Sequence, residues 1–175
     1  MFTKPEQNIL QLGIREGMTV ADLGSGSGFY SIALSKRVGY TGKVYAVEVQ
    51  KDLVKKLEGE LAHLHISNVV CIWGDIEKKG GTKIIDHSLD AVVLSNILFQ
   101  VDDKIGLIDE AKRILKKGGE ILLIDWNESF GSMSKIKHNI VNEKEAKELF
   151  EKRGLQFIKN ISISEHHYGI IFKYE

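Results

Sequence analysis

Val20-Ala21-Asp22-Leu23-Gly24-Ser25-Gly26-Ser27-Gly28-Phe29-Tyr30 runs from an apolar strand pattern into three glycines at alternate positions, and a helix pattern, Gly28–Arg37, follows at once. Such a turn lets a ligand approach backbone N–H groups that no Cβ shields. The same theme repeats on both sides of it. Strand-like runs at Thr19–Leu23, Lys43–Val49, Val69–Trp73, Leu89–Leu94 and Glu120–Asp125 consist mostly of successive Val, Ile and Leu. Strands buried on both faces read this way. Between them, Leu53, Val54, Leu57, Leu61 and Leu64 share a helical face, as do Ile105, Ile108, Ala111, Ile114 and Leu115. Lys116-Lys117-Gly118-Gly119 reads as the last turn of the second helix followed by its C-cap glycine. Asn142-Glu143-Lys144-Glu145 reads as a capping box that opens a helix to about Arg153.

Regular strand–helix alternation predicts a doubly wound α/β fold, a parallel sheet with helices on both faces. The tail departs from it. Phe157–Ile163 and Tyr168–Tyr174 are separated only by Ser164–His167, too short a link for a parallel crossover, so they are expected to form an antiparallel hairpin at the end of the sheet. The chain of 175 residues, 43% hydrophobic and 27% charged, suits one domain with a substantial core, and residues 1–175 are read as such. Twenty-four Lys+Arg balance twenty-four Asp+Glu, so there is no strong nucleic-acid signal. A single cysteine excludes an internal disulfide, and no Cys/His cluster has zinc-ligand spacing. No apolar run is long enough to span a bilayer, and the first residues lack a signal-peptide pattern. A cytoplasmic location is the expectation, with no membrane partner and a homodimer left open.

The ligand of the glycine turn follows from its neighbours. Glu48, in Val47-Glu48-Val49, stands 22 residues beyond Gly26 at the end of the next strand, where a carboxylate can accept from both hydroxyls of a ribose. Trp73-Gly74-Asp75-Ile76 places another carboxylate where an adenine amino group could donate to it. Dinucleotide folds want a small residue in the last place of G-x-G-x-x-G/A; here that place is Phe29, and the third glycine, Gly28, comes one position early. Asp22, two positions before the first glycine, would repel a pyrophosphate but favour an ammonium or sulfonium. A cationic adenosyl amino acid fits better than a dinucleotide.

Ala21–Gly28, Glu48, Asp75 and the Lys116-Lys117-Gly118-Gly119-Glu120 turn together resemble the class I S-adenosylmethionine-dependent methyltransferases. The likeness is strongest to the small soluble group around the quinone-biosynthesis and arsenite enzymes. The resemblance implies a Rossmann-like sheet of seven strands in the order 3-2-1-4-5-7-6, the last strand antiparallel. It implies S-adenosylmethionine as cofactor, with S-adenosylhomocysteine as product and a small-molecule acceptor. Asp22, Gly24 and Gly26 would hold the methionine part, with Ser25, Gly28, Phe29 and Tyr30 completing the turn. Glu48 and Val49 would meet the ribose, and Gly74, Asp75 and Ile76 the adenine. Ser95 and Asn96 would lie near the transferable methyl.

Asn96 and Asp125 are the candidate catalytic residues, both at strand tips on the ligand-binding edge, although Asp125-Trp126-Asn127 reads equally as a cap on the sheet. Ser95-Asn96-Ile97-Leu98-Phe99-Gln100 lacks the Asn/Asp-Pro-Pro-aromatic pattern of base-amino methylation, and its bland alternative is a loop with Phe99 in the core. With Ser95 where an acid would be needed, no metal site is expected. Cys71 reads as a small core residue. His138, near Lys135 and Lys137, and the run His166-His167-Tyr168 read as surface or packing residues more readily than as bases. No strong general base stands out, which suits a thiol, an arsenite, an activated ring carbon or an easily deprotonated amine. Members of the group carry more residues before the counterpart of Phe2-Thr3-Lys4-Pro5-Glu6. The substrate side is therefore expected to be open, closed by a partner chain, or suited to something large. Two further activities remain: a non-catalytic S-adenosylmethionine-binding sensor or assembly domain, and a nicotinamide-dependent oxidoreductase.

Overall fold

The computed structural model describes residues 4–127 and 139–175. Seven strands form one sheet: β1 (Thr19–Leu23), β2 (Lys43–Glu48), β3 (Val69–Trp73), β4 (Leu89–Ser95), β5 (Leu115–Trp126), β6 (Leu155–Ser164) and β7 (His167–Tyr174). Their order is β3-β2-β1-β4-β5-β7-β6. β1 to β5 pair in parallel, and β7 enters antiparallel between β5 and β6. Among the described residues five helices accompany the sheet: α1 (Pro5–Ile9), α2 (Phe29–Val38), α3 (Lys51–His63), α4 (Lys104–Ile114) and α5 (Glu143–Lys152). None of the described helices is long and apolar enough to cross a membrane.

Alternate residues of the strands feed two opposite layers of the core. Ala21, Leu23, Val92 and Leu94 pack with Leu107, Ile108 and Phe150 beneath α4 and α5. Val20, Ala91, Val93 and Val44 pack with Ile9, Leu34 and Val38 beneath α1 and α2, and Ala46 meets Leu57 and Leu61 of α3. The near-continuous apolar runs are thus what two covered faces require. The edge strand β3 is the exception, leaving Val70 and Trp73 exposed.

Local chemistry sets the boundaries. Asn142 caps α5 by accepting from the Glu145 amide at 3.0 Å, while Glu145 accepts from the Asn142 amide at 3.2 Å, the reciprocal box the sequence predicts. Gly28 is the N-cap of α2 at φ 81°. A Cβ there would overlap Leu57 Cδ1 of α3, so left-handed backbone and close helix approach both demand glycine. Gly28→Ala is expected to cost about 2 kcal/mol of stability, read from a denaturant midpoint shift at unchanged slope.

Three sequence expectations are corrected. α4 stops at Ile114, with Lys112 and Arg113 as its last-turn cations. Residues 116–119 instead form a bulge at the start of β5: Leu89 pairs with Leu115 and Ala91 with Glu120, so four residues bow out opposite Asp90. Lys116 reaches that Asp90 at 2.7 Å, and Gly118 takes φ 82°. Leu64 and Ile105, placed on apolar helix faces by spacing, are exposed because they lie at or beyond the ends of their helices. Helix α1 has no counterpart among the sequence-predicted elements; Pro5 at its first turn is the signal that marks it.

Candidate active site

β1 takes neighbours from both halves of the chain, β2 on one side and β4 on the other. Where strand order reverses, the loops beyond the strand tips diverge and leave a crevice. The glycine turn occupies it, tied down by the Gly24 and Ser25 amides, which donate to Val47 O at 2.9 and 3.0 Å. Two cavities flank the turn. One of about 500 Å³ is lined by Asp22, Ser25, Tyr30, Asn96 and their neighbours. The other, about 330 Å³, is lined by Glu48, Val49, Asp75, Ile76 and residues around them. Gly24, Gly26 and Gln100 border both. At Gly26 a Cβ would meet nothing within 4 Å, so the backbone there faces open space.

The electrostatics of the larger cavity centre on Asp22. It is 2% exposed and is hydrogen-bonded by Ser31, whose Oγ donates to it at 2.7 Å. Burial pushes its carboxyl up to about 6, against the side-chain and backbone hydrogen bonds of Ser31 and with the help of nearby Glu48. Two polar atoms of the same cavity's lining residues, Ser25 Oγ and Asn96 Oδ1, are buried without a hydrogen-bond partner. Such atoms cost stability unless something else satisfies them. Asn96 also holds φ 55°, strained for a residue with a side chain. Phe29 stands 71% exposed at the cavity mouth beside Pro5.

In the smaller cavity Glu48 is 7% exposed, and each oxygen serves the backbone: Oε2 accepts from Gly26 N at 3.1 Å and Oε1 from Gln50 N at 2.9 Å. One carboxylate therefore anchors both the glycine turn and the start of α3. Asp75 is paired with Lys78 at 2.9 Å and accepts from the Glu77 amide at 3.0 Å. The Lys78 hydrogen bond holds its carboxyl below the usual range.

A family profile described as a methyltransferase domain matches residues 14–172. The chain belongs to that family. Among relatives of this methyltransferase domain, the human arsenite methyltransferase is 38% identical over 116 residues, 63% of this chain and 31% of that protein. The ubiquinone/menaquinone biosynthesis C-methyltransferase of Haemophilus ducreyi is 27% identical over 148 residues, 77% of this chain and 56% of that protein. The chain thus spans between about a third and just over half of these relatives' lengths. The crystal structure of an S-adenosylmethionine-dependent methyltransferase from Aquifex aeolicus superposes with a TM-score of 0.89 at 26% identity, covering 99% of this chain and 90% of that one. The nicotinamide alternative is overturned by these findings.

The methyltransferase domain brings Asp22, Gly24, Ser25, Gly26, Phe29, Tyr30, Ser95 and Asn96 to one cavity, and Glu48, Val49, Asp75 and Ile76 to the other. Three sequence candidates lie behind these surfaces. Gly28 packs against Leu57, and Gly74 backs onto Gly81. Asp125 is 2% exposed, accepting from the Ile97 and Leu98 amides at 3.1 and 2.8 Å and from Trp126 N at 2.8 Å. It fixes the loop after β4, the capping alternative of the two it was given. Burial pushes its carboxyl up to about 6 in spite of those bonds. Asp125→Ala is expected to strand these amides and cost about 2 kcal/mol, read from the thermal midpoint.

In the same loop Ile97 and Leu98, not Phe99, are the buried residues. Cys71 is half-buried, and desolvation pushes its thiol up to about 11, away from nucleophilic character. His167 packs on Trp126 with ring centroids 3.9 Å apart, its Nδ1 3.0 Å from Ser164 Oγ. His138, Lys135 and Lys137 lie outside the described residues. Pro5, Gln100, Leu53 and Glu77 also line the cavities. For Glu77 and Gln100 the available signal was adjacency to Asp75 and Asn96; Pro5 and Leu53 arrive by tertiary packing alone.

Proposed function

We propose that this domain binds S-adenosylmethionine across the Gly24–Gly28 turn and passes its methyl group to a small organic acceptor entering between Pro5 and Phe29. The observation that carries this is Asp22, a buried carboxylate beside a cavity that pairs with no cation among the described residues. An ammonium placed there would satisfy it. Ser25 Oγ and Asn96 Oδ1, bare in the same wall, suit a carboxylate and an ammonium respectively. The N-terminus of α2, which has no side-chain cap, favours that carboxylate further. Glu48 keeps lone pairs beyond its two backbone bonds, enough for ribose hydroxyls. Ile76 offers the base an apolar wall, while Asp75 can receive the adenine amino group only alongside Lys78.

When bound, the cofactor would supply an electrophilic methyl on a sulfonium, with S-adenosylhomocysteine as the product of its transfer. The chain's own residues bind and orient. Asp22 is the one carboxylate lining the larger cavity among the described residues, and it is committed to the ammonium. The acceptor therefore arrives with its nucleophile already deprotonated or in need of no deprotonation.

The test is incubation with methyl-labelled S-adenosylmethionine and a fractionated lysate, preceded by calorimetric titration with S-adenosylhomocysteine. Label is expected in a small-molecule fraction. Tight binding with no acceptor labelled in any fraction would instead support the sensor alternative.

A further inference from the structure

Helix α4 holds the segment that forms the nucleobase end of the cleft. Glu110, at its centre, is 1% exposed and accepts five hydrogen bonds. Three come from the loop after β3: Gly80 N at 2.9 Å, Thr82 N at 3.1 Å and Thr82 Oγ1 at 2.6 Å. The other two come from Arg113 Nε and Nη2 at 2.8 and 2.7 Å, and Arg113 also pairs with Asp86 of the same loop. Between the two tethered residues lies Gly81, which is pressed against the backbone that lines the cavity. A Cβ on Gly74 would sit 2.5 Å from Gly81 O, and a Cβ on Gly81 would overlap Asp75 O. A displacement of residues 80–82 has no slack to absorb it and moves Gly74–Asp75. At its N-terminus α4 grips the segment a second time, with Asp103 N donating to Glu77 Oε2 at 2.5 Å and Gly106 packed on Glu77 O.

We propose that Glu110, braced by Arg113, is a positioning residue that sets the Asp75–Glu77 wall at the distance and angle an adenine requires. The inference rests on the cofactor assignment above. Each of Glu110's bonds outside its own helix ends in the loop that carries this wall. Burial alone would raise the Glu110 carboxyl, yet the Arg113 and Thr82 hydrogen bonds bring it down to about 2, so the brace stays charged at physiological pH. By contrast, Asp109 on the same helix makes an exposed pair with Arg153, away from the loop.

Calorimetric titration of Glu110→Ala, Glu110→Gln and Asp109→Ala, each checked for native circular dichroism, separates positioning from general stability. Two ligands are compared, S-adenosylhomocysteine and S-inosylhomocysteine, which differ only at the base edge. Glu110→Ala is expected to bind S-adenosylhomocysteine about tenfold more weakly and to lose preference for it over the inosyl compound. Glu110→Gln, which keeps one acceptor oxygen, recovers part of both, and Asp109→Ala changes neither. A folded Glu110→Ala protein with wild-type affinity and wild-type base preference overturns the inference. If Glu110→Ala does not fold, Thr82→Val removes one donor and leaves the ion pair; it is expected to weaken adenosyl binding about threefold, and no change overturns the inference equally. A wild-type protein that binds neither ligand overturns the cofactor assignment, a result distinct from intact binding in the variants.

Discussion

Asp22→Asn is expected to bind S-adenosylhomocysteine about a hundredfold more weakly than the wild type and to lose the pH dependence of that binding. Removing one partner of a buried ion pair leaves the other charge unpaired, at a cost of about 3 kcal/mol. The pH dependence has a definite sign. Burial holds the ligand-free Asp22 carboxyl at about 6, above its ordinary 3.8, and an ammonium alongside would pull it back down. Between about pH 4 and pH 6 the free protein carries a proton that the complex lacks. Binding releases that proton, and affinity falls as pH drops below about 6, approaching tenfold per unit. Above it affinity is flat. Stability of the ligand-free chain moves the other way: the folded state holds the proton more tightly than the unfolded one, so the Asp22 contribution declines as pH rises through the same window. Asp125, raised to about 6 as well, adds in the same direction. Titration in two buffers of different ionisation heat measures the released proton directly. Wild-type affinity that is constant from about pH 5 to pH 7 would remove Asp22 from the binding scheme.

Glu48→Ala is expected to have the larger effect, about a thousandfold in cofactor affinity, or roughly 4 kcal/mol. The variant loses the proposed ribose contacts and also the acceptor of two backbone amides, Gly26 N and Gln50 N. With that anchor gone, the glycine turn and the first turn of α3 no longer share a fixed point, and the cleft loses its shape along with a ligand group. Glu48→Gln keeps a single acceptor oxygen and should fall between the two. Unchanged affinity in a folded Glu48→Ala protein would contradict the assignment.

The parts of this architecture legible from sequence were those that local patterns encode. Buried parallel strands announce themselves as unbroken Val and Ile, the capping box at Asn142 needs only four residues, and a link as short as Ser164–His167 forces a hairpin. The sheet order came with the resemblance. What local patterns could not encode were choices made by distant neighbours. Lys116-Lys117-Gly118-Gly119 satisfies a helix end and a strand bulge equally well, and Asp90 across the sheet decides between them. Asp125 reads equally as a cap or a substrate contact and Glu48 as a ligand group; besides a neighbouring amide each accepts from one far back in the chain, Leu98 and Gly26, 27 and 22 residues earlier, which no local pattern announces. Glu110 carries no mark in the sequence beyond an i,i+3 pair with Arg113, because its partners outside the helix lie 28 and 30 residues back in a loop without regular structure.

The placement of β1 has a consequence for biosynthesis. Its residues Val20–Leu23 lie between β2 and β4, and β4 is made some 70 positions later (Val20 pairs with Ala91). While the nascent chain is emerging from the ribosome, the glycine turn has one wall and no opposite bank. It can grip a nucleoside only once the second half has docked. Whatever occupies the crevice then rewards that late step alone, drawing the assembled state down by mass action, so metabolite supply and maturation of the domain become thermodynamically linked.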